Sequence, residues 1–173
     1  MISPPCHTRT AESSDDWITP KWLVDQLGPF DLDPCASDKQ PWPCAAESWT
    51  FADNGLMRPW AGFAFVNPPY GRAMTTWLNR LALHGNGIAL VFARTETRAF
   101  FDYVWPYASA LLFLRGRLTF HYPDGSMPRN GANSGGPSVL IAYGDTARKR
   151  LVANAELGAL CLVAGCAKKA AVA

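Results

Sequence analysis

Apolar positions fall into short runs that alternate between strand-like and helix-like spacing. Trp22, Leu23 and Leu27 stand at helical intervals. Thr19-Pro20 before them fits a helix start, with threonine as cap and proline in the first turn, and Gly28-Pro29 stops it. Phe30 to Pro34 reads as a short strand that breaks sharply, because proline cannot donate to a central ladder. Gly62 to Val66 is a short apolar run with the character of a central strand, and Asn67-Pro68-Pro69-Tyr70 ends it. Met74, Trp77, Leu78 and Leu81 predict a helix over 73–84, closed by Gly85-Asn86-Gly87. Gly87 to Phe92 is the next strand, with Ala93 to Thr97 as its exit. A helix over 97–105 would put Phe100, Phe101 and Val104 on one face. Strands follow at Ala110 to Leu114 and Ser138 to Tyr143, then a helix over 145–157. Residues 35–58 leave room for at most one or two short strands or a brief helix, with Asp53-Asn54-Gly55 as a turn.

Strands alternating with helices at these intervals predict an α/β fold built on an open sheet. Ligands in such sheets bind beyond the carboxyl ends of the strands, where the strand order reverses. Asp33, Asn67 and Arg94 all fall at such ends. Residues 1–16, polar and proline-containing, read as a flexible arm ahead of a single domain over 17–173. The stretch from His121 to Pro137 is a long loop rich in Gly, Pro, Asn and Ser.

Composition narrows this picture. A chain of 173 residues, 49% hydrophobic, supports one core and leaves little room for a second, so a separate DNA-reading domain is not expected. The formal net charge of +2 is only a weak pull toward nucleic acid. Five scattered cysteines, an odd number, argue against a disulfide framework and fit a reducing cytoplasm. Their spacing matches no usual zinc knuckle, so no metal is assigned. The amino end lacks a secretory signal, and the apolar stretch Leu157 to Ala167 is too short and glycine-interrupted to span a bilayer. A soluble, cytoplasmic protein with no membrane partner is expected.

The candidate chemistry lies in Asn67-Pro68-Pro69-Tyr70. Adenine's exocyclic amine is a poor nucleophile because its lone pair is delocalised into the ring. Methylating it needs acceptors for both amine protons, so that the nitrogen can rehybridise toward the methyl donor. The Asn67 side-chain oxygen can be one acceptor. The Pro68 carbonyl can be the other, since Pro69 holds the backbone extended. Tyr70 would offer a ring face to a flipped base, an interaction worth roughly 1–3 kcal/mol. The competing reading is a plain strand-to-loop turn in which Asn67 caps a helix and Tyr70 packs; it gives no reason for two prolines after a buried strand.

Several segments together resemble the amino-methyltransferases, and within them the small bacteriophage DNA adenine methyltransferases of the Dam type. They are Trp17-Ile18-Thr19-Pro20, Phe30 to Ala36, Asp53-Asn54-Gly55-Leu56 with Trp60, Val66 to Gly71, Ala93 to Thr97, and Leu114 to Phe120, in the family's order from about residue 17 to 143. The resemblance implies a compact Rossmann-like methyltransferase sheet with helices on both faces and reduced outer strands. It implies S-adenosylmethionine as cofactor, held near Thr19, Pro20, Asp31, Asp33 and Asp53, and catalysis at Asn67, Pro68, Pro69 and Tyr70. This chain departs from methyltransferases at large in one respect: Asp33-Pro34-Cys35-Ala36-Ser37 lacks the Gly-x-Gly of the cofactor loop, as the phage group tolerates. Ordinary roles compete at several positions. A carboxylate at a strand end can cap its own turn, Asp53-Asn54-Gly55 is also a common turn, and Thr19 can be a helix cap.

The resemblance makes DNA the expected partner. Arg94, Arg98, Arg115, Arg117 and Arg129 are candidate contacts to phosphate or base edges, each weighed against a solvated surface role. The loop over 121–137 is the best place for target recognition; otherwise the enzyme is promiscuous. A second copy of the chain would widen the footprint on a duplex. Three alternatives stay open: the same transfer to adenine in RNA, transfer to glutamine in a protein, and a phage nucleic-acid-binding protein that kept the fold without the activity.

Overall fold

The computed structural model describes residues 17–71, 73–128 and 135–163. In chain order the elements are α1 (Lys21–Leu27), β1 (Leu32–Asp33), β2 (Glu47–Ser48), a 3-10 turn (Phe51–Asp53), β3 (Ala64–Val66), α2 (Ala73–His84), β4 (Gly87–Phe92), a π-helical turn (Phe100–Val104), β5 (Ala110–Leu114), β6 (Ser138–Tyr143), α3 (Gly144–Ala153), a second 3-10 turn (Ala155–Leu157) and β7 (Gly158–Leu162). The described strands form one seven-stranded sheet in the order β2-β1-β3-β4-β6-β5-β7. The expected α/β architecture is therefore present, and the reduced strands are β1 and β2, two residues each.

The sheet has two halves. β2, β1, β3 and β4 run parallel, while β6 is antiparallel to both β4 and β5, and β7 is antiparallel to β5. Central strands are apolar on both sides because helices cover both faces. Phe65, Ile88, Leu90, Leu112 and Leu140 pack with Leu23, Val24 and Leu27 of α1 and with Ala147 and Leu151 of α3. Their strand neighbours Val66, Ala89, Val91, Leu111 and Ile141 point the other way, onto Trp77, Leu78 and Leu81 of α2 and Phe100 and Val104 of the π turn.

Four local expectations need correction. Thr19 does not cap α1: Pro20 occupies the cap position without a side-chain hydrogen bond, and Thr19 is buried beside it. The segment expected as a helix over 97–105 widens into a π turn, closed by Trp105 N–H donating to the Phe100 carbonyl at 2.9 Å. That turn buries Phe100 and Val104 but leaves Phe101 exposed. The helix expected to 157 stops at Ala153, where the Asn154 side chain takes back the Arg150 carbonyl at 2.8 Å. Finally, the apolar stretch after Leu157 supplies the edge strand β7, hydrogen-bonded along β5. Among the described residues no helix is long and apolar enough to cross a membrane.

From β1 the chain goes to β2 on one flank and to β3 on the other, so the strand order reverses at β1 and opens a crevice beyond the carboxyl ends of β1 and β3. A two-residue strand cannot hold this junction by ladder bonds alone. The Asp31 carboxylate reinforces it by accepting the Phe63 N–H at 2.7 Å. Gly62 lets the two meet: its φ is +71°, and a Cβ there would lie 2.5 Å from Asp31 Oδ2. Gly62→Ala is accordingly expected to lower the unfolding free energy by about 1–3 kcal/mol in urea titrations, from the left-handed backbone and the clash together. An unchanged midpoint would show that the junction tolerates displacement.

Candidate active site

A cavity of about 580 Å³ occupies the crevice, within the range of roughly 300–1,000 Å³ usual for cofactor-sized ligands. Three stretches converge on it: Trp17, Ile18 and Thr19 from the strand-like lead into α1, Asp33 to Ser37 from the exit of β1, and Asn67 to Tyr70 from the exit of β3. The Thr50–Gly55 turn and Trp77 of α2 close the remaining walls.

Asn67 is held by its nitrogen. Nδ2 donates to the Trp17 carbonyl at 3.0 Å, while Oδ1 is buried and accepts no hydrogen bond. An unpaired buried carbonyl oxygen costs about 1–3 kcal/mol and is rare in folded proteins without a reason. The backbone N–H of Asn67 reaches the Cys35 sulfur, joining the exits of β3 and β1. Pro68 is buried and Pro69 exposed. Tyr70 lies flat against Phe92, ring centroids 4.4 Å apart and planes 9° from parallel. Burial pushes its phenol up, so it is neutral at ordinary pH.

Asp33 ends β1 with its carboxylate buried in the cavity wall. Burial pushes it up to about 7, against opposing hydrogen bonds from the Cys35 backbone N–H, the Cys35 thiol and the Gln40 side chain. The thiols of Cys35 and Cys44, both on the cavity, are pushed up by the same burial and by Asp33 itself, which leaves them as uncharged lining.

Of the residues expected to hold a cofactor, Thr19 and Asp33 line this cavity, while Pro20, Asp31 and Asp53 do not. Asp31 is spent on the β1–β3 junction described above. Asp53 closes a capping box, accepting the Thr50 N–H at 2.9 Å and the Thr50 hydroxyl at 3.2 Å, and its other oxygen meets Arg58 at 3.0 Å. The Thr50 backbone bond leads the effects that hold its carboxyl below the usual range, followed by Arg58. Its turn still matters, because it sets Thr50, Phe51 and Asn54 on the cavity wall. The Thr50-x-x-Asp53 spacing is a capping-box signature that could have flagged this turn. Phe51 lines the cavity yet is 95% exposed, standing at the mouth. Nothing local marks Phe92 as the support of Tyr70, or the Trp17 carbonyl as the partner of Asn67.

Arg94, Arg115 and Arg117 are exposed beyond the carboxyl ends of β4 and β5, on the edge of the sheet where the cavity opens. Arg98 pairs with Asp102 at 3.0 Å, and Arg129 lies outside the described residues. Among the described residues no cluster of three metal-ligating side chains occurs.

A buried carboxyl facing a mostly apolar chamber, an orphaned amide oxygen and a braced aromatic ring form a set suited to a polar, planar, amine-bearing substrate. A family model described as DNA N-6-adenine-methyltransferase (Dam) matches residues 6–156. The chain belongs to that family. No curated protein and no solved structure is similar enough to match it. The family match covers β1 to β6 and every wall of the cavity.

The raised carboxyl of Asp33 has a signed consequence. The unfolded chain loses this proton near pH 4 and the folded chain only near 7, so the folded state binds more protons in between. Stability should therefore fall as pH rises from about 4 to about 7 and level off above, by a few kcal/mol at most. In urea denaturation at pH 5 and pH 8, the native chain should lose stability relative to Asp33→Asn. A difference between the two that does not change with pH would refute this assignment.

Proposed function

We propose that this protein transfers the methyl group of S-adenosylmethionine to the exocyclic N6 amine of adenine in DNA. The observation that carries the reading is the orientation of Asn67: with Nδ2 pinned to Trp17, the buried and unpaired Oδ1 is an acceptor waiting for a donor. An amine proton of adenine is such a donor, and the Pro68 carbonyl takes the second. Localising the nitrogen lone pair in this way makes N6 nucleophilic without a strong base. Tyr70, stiffened by Phe92 behind it, presents its other face to the base.

The cavity residues fit the cofactor. Asp33 and Thr19 would hold it, with Ser37, Gln40, Thr50 and Asn54 as further polar groups and Phe51 and Trp77 as apolar walls. When bound, S-adenosylmethionine supplies a methyl group activated by a sulfonium. A cationic ligand favours the ionised form of Asp33 and so offsets the burial that otherwise keeps its proton on. Trp17, Trp77 and Phe51 exclude water from the space between the two sites. The Asn67 oxygen and the Pro68 carbonyl would hold the two amine protons while N6 accepts the methyl group, and one of those protons would then leave to bulk solvent outside the pocket. Alignment in a dry pocket carries much of the rate. Arg94, Arg115 and Arg117 would meet the DNA backbone, and within the segment over 121–137 the part beyond the closed 122–126 turn is the proposed reader of sequence.

The test is labelled methyl transfer from S-adenosylmethionine to unmethylated DNA, with RNA and protein as parallel substrates and nucleoside analysis of the product. Label should appear in N6-methyladenine from DNA. Asn67→Ala should lower the transfer rate by about 10²-fold or more while cofactor affinity stays within a few-fold. Cofactor binding without label in adenine would sink the proposal, and label in RNA or glutamine alone would redirect it.

A further inference from the structure

The amide of Asn67 hangs on a single atom outside its own turn, the Trp17 carbonyl. Trp17 belongs to no helix or strand of the sheet, so something else must fix it. Its neighbour Ile18 exchanges two backbone hydrogen bonds with His121, at 3.0 and 2.9 Å. The Trp17 ring stacks on Tyr122, centroids 5.9 Å apart and planes 28° from parallel. The Trp42 indole N–H donates to the Thr19 carbonyl at 3.0 Å, and its ring meets His121 edge-on. The segment on the far side is itself closed: Tyr122 N–H donates to the Ser126 carbonyl and Gly125 N–H to the Tyr122 carbonyl, both at 2.9 Å. A short strap ahead of α1 is thus clamped to the first part of the loop that follows β5.

We propose that Trp17 and Tyr122 are positioning residues for Asn67. Their stack, together with the Ile18–His121 bonds, holds the carbonyl that accepts from Nδ2, and so sets oxygen rather than nitrogen toward the substrate amine. The inference rests on the reading of Asn67 as the amine's acceptor. An amide freed from the clamp rotates about its terminal bond, a soft and roughly two-fold torsion. In the flipped state it sets a donor against a donor. The ring of Tyr122 is 41% exposed, so removing it opens no hole in the core and leaves the fold intact.

The experiment compares the wild-type chain with Tyr122→Ala and Tyr122→Phe. Two quantities are read: single-turnover methyl transfer to DNA at saturating cofactor, and the ¹H–¹⁵N signals of the Asn67 side-chain amide, assigned by their loss in Asn67→Ala. Tyr122→Ala should transfer methyl about 10- to 10²-fold more slowly, with half-saturation by DNA nearly unchanged and the Asn67 amide protons exchanging faster with water. Tyr122→Phe keeps the stack and should restore both. A loss confined to DNA affinity, or an amide signal unaltered in Tyr122→Ala, overturns the proposal and makes Tyr122 a DNA contact or a bystander. Should the wild-type chain methylate no adenine, the functional reading fails while the amide signals still decide whether the clamp orients Asn67.

Discussion

The parallel pairing of β1 with β3 brings the exits of the two strands together, Asp33 ending one and Asn67 following the other, with the Asn67 N–H meeting the Cys35 sulfur between them. The pairing itself is minimal, a single register contact between Leu32 and Ala64. It survives because backbone bonds support it, the Asp31 and Leu32 N–H groups both donating to the Phe63 carbonyl. The Asp31 carboxylate adds a charge-assisted bond to Phe63 N–H. A charged group at a sheet junction thus substitutes for strand length. Shortened outer strands free the chain to turn at once into the cavity wall.

The two halves of the sheet divide the work. The parallel half supplies the exits that line the cavity, whereas the antiparallel half is a buried platform. β6 is buried along its whole length and pairs with β4 over six residues. That platform reaches the site through Phe92, which pairs with Ser138 on β6 and carries Tyr70 on its ring. The aromatic end of the Asn67–Tyr70 turn is therefore braced by β4, the strand at which the parallel half of the sheet meets the antiparallel platform.

Local periodicity made the long elements legible. α2 runs over 73–84 and β4 over 87–92, as Met74, Trp77, Leu78, Leu81 and the apolar run after Gly87 indicate. Elements decided by distant partners were not legible. β7 needs β5 to be a strand, and the π turn answers to the depth at which Phe100 and Val104 enter the core. The same division holds at the site. Asp33 and Asn67 to Tyr70 advertise themselves, because aspartate before proline and a double proline after a strand are locally odd. Asp31 and Asp53 are candidates in sequence as well, behind Asp33. Only the packing shows that one bridges two strands and the other closes a capping box. The contacts that orient Asn67 and brace Tyr70 span 50 residues for the Trp17 bond and cross from β3 to β4 for Phe92, and no local pattern encodes them.

The orphaned oxygen of Asn67 also acts by what it refuses. A base carrying a keto oxygen where adenine carries its amine, as deaminated adenine does, would bring one acceptor against another in a buried wall. Sites that hold a buried hydrogen-bonding group in readiness reject such mismatches by about 10⁴-fold or more, far beyond what shape alone achieves. On the proposed reading, the burial of that single oxygen is a filter against damaged bases as much as an aid to methyl transfer.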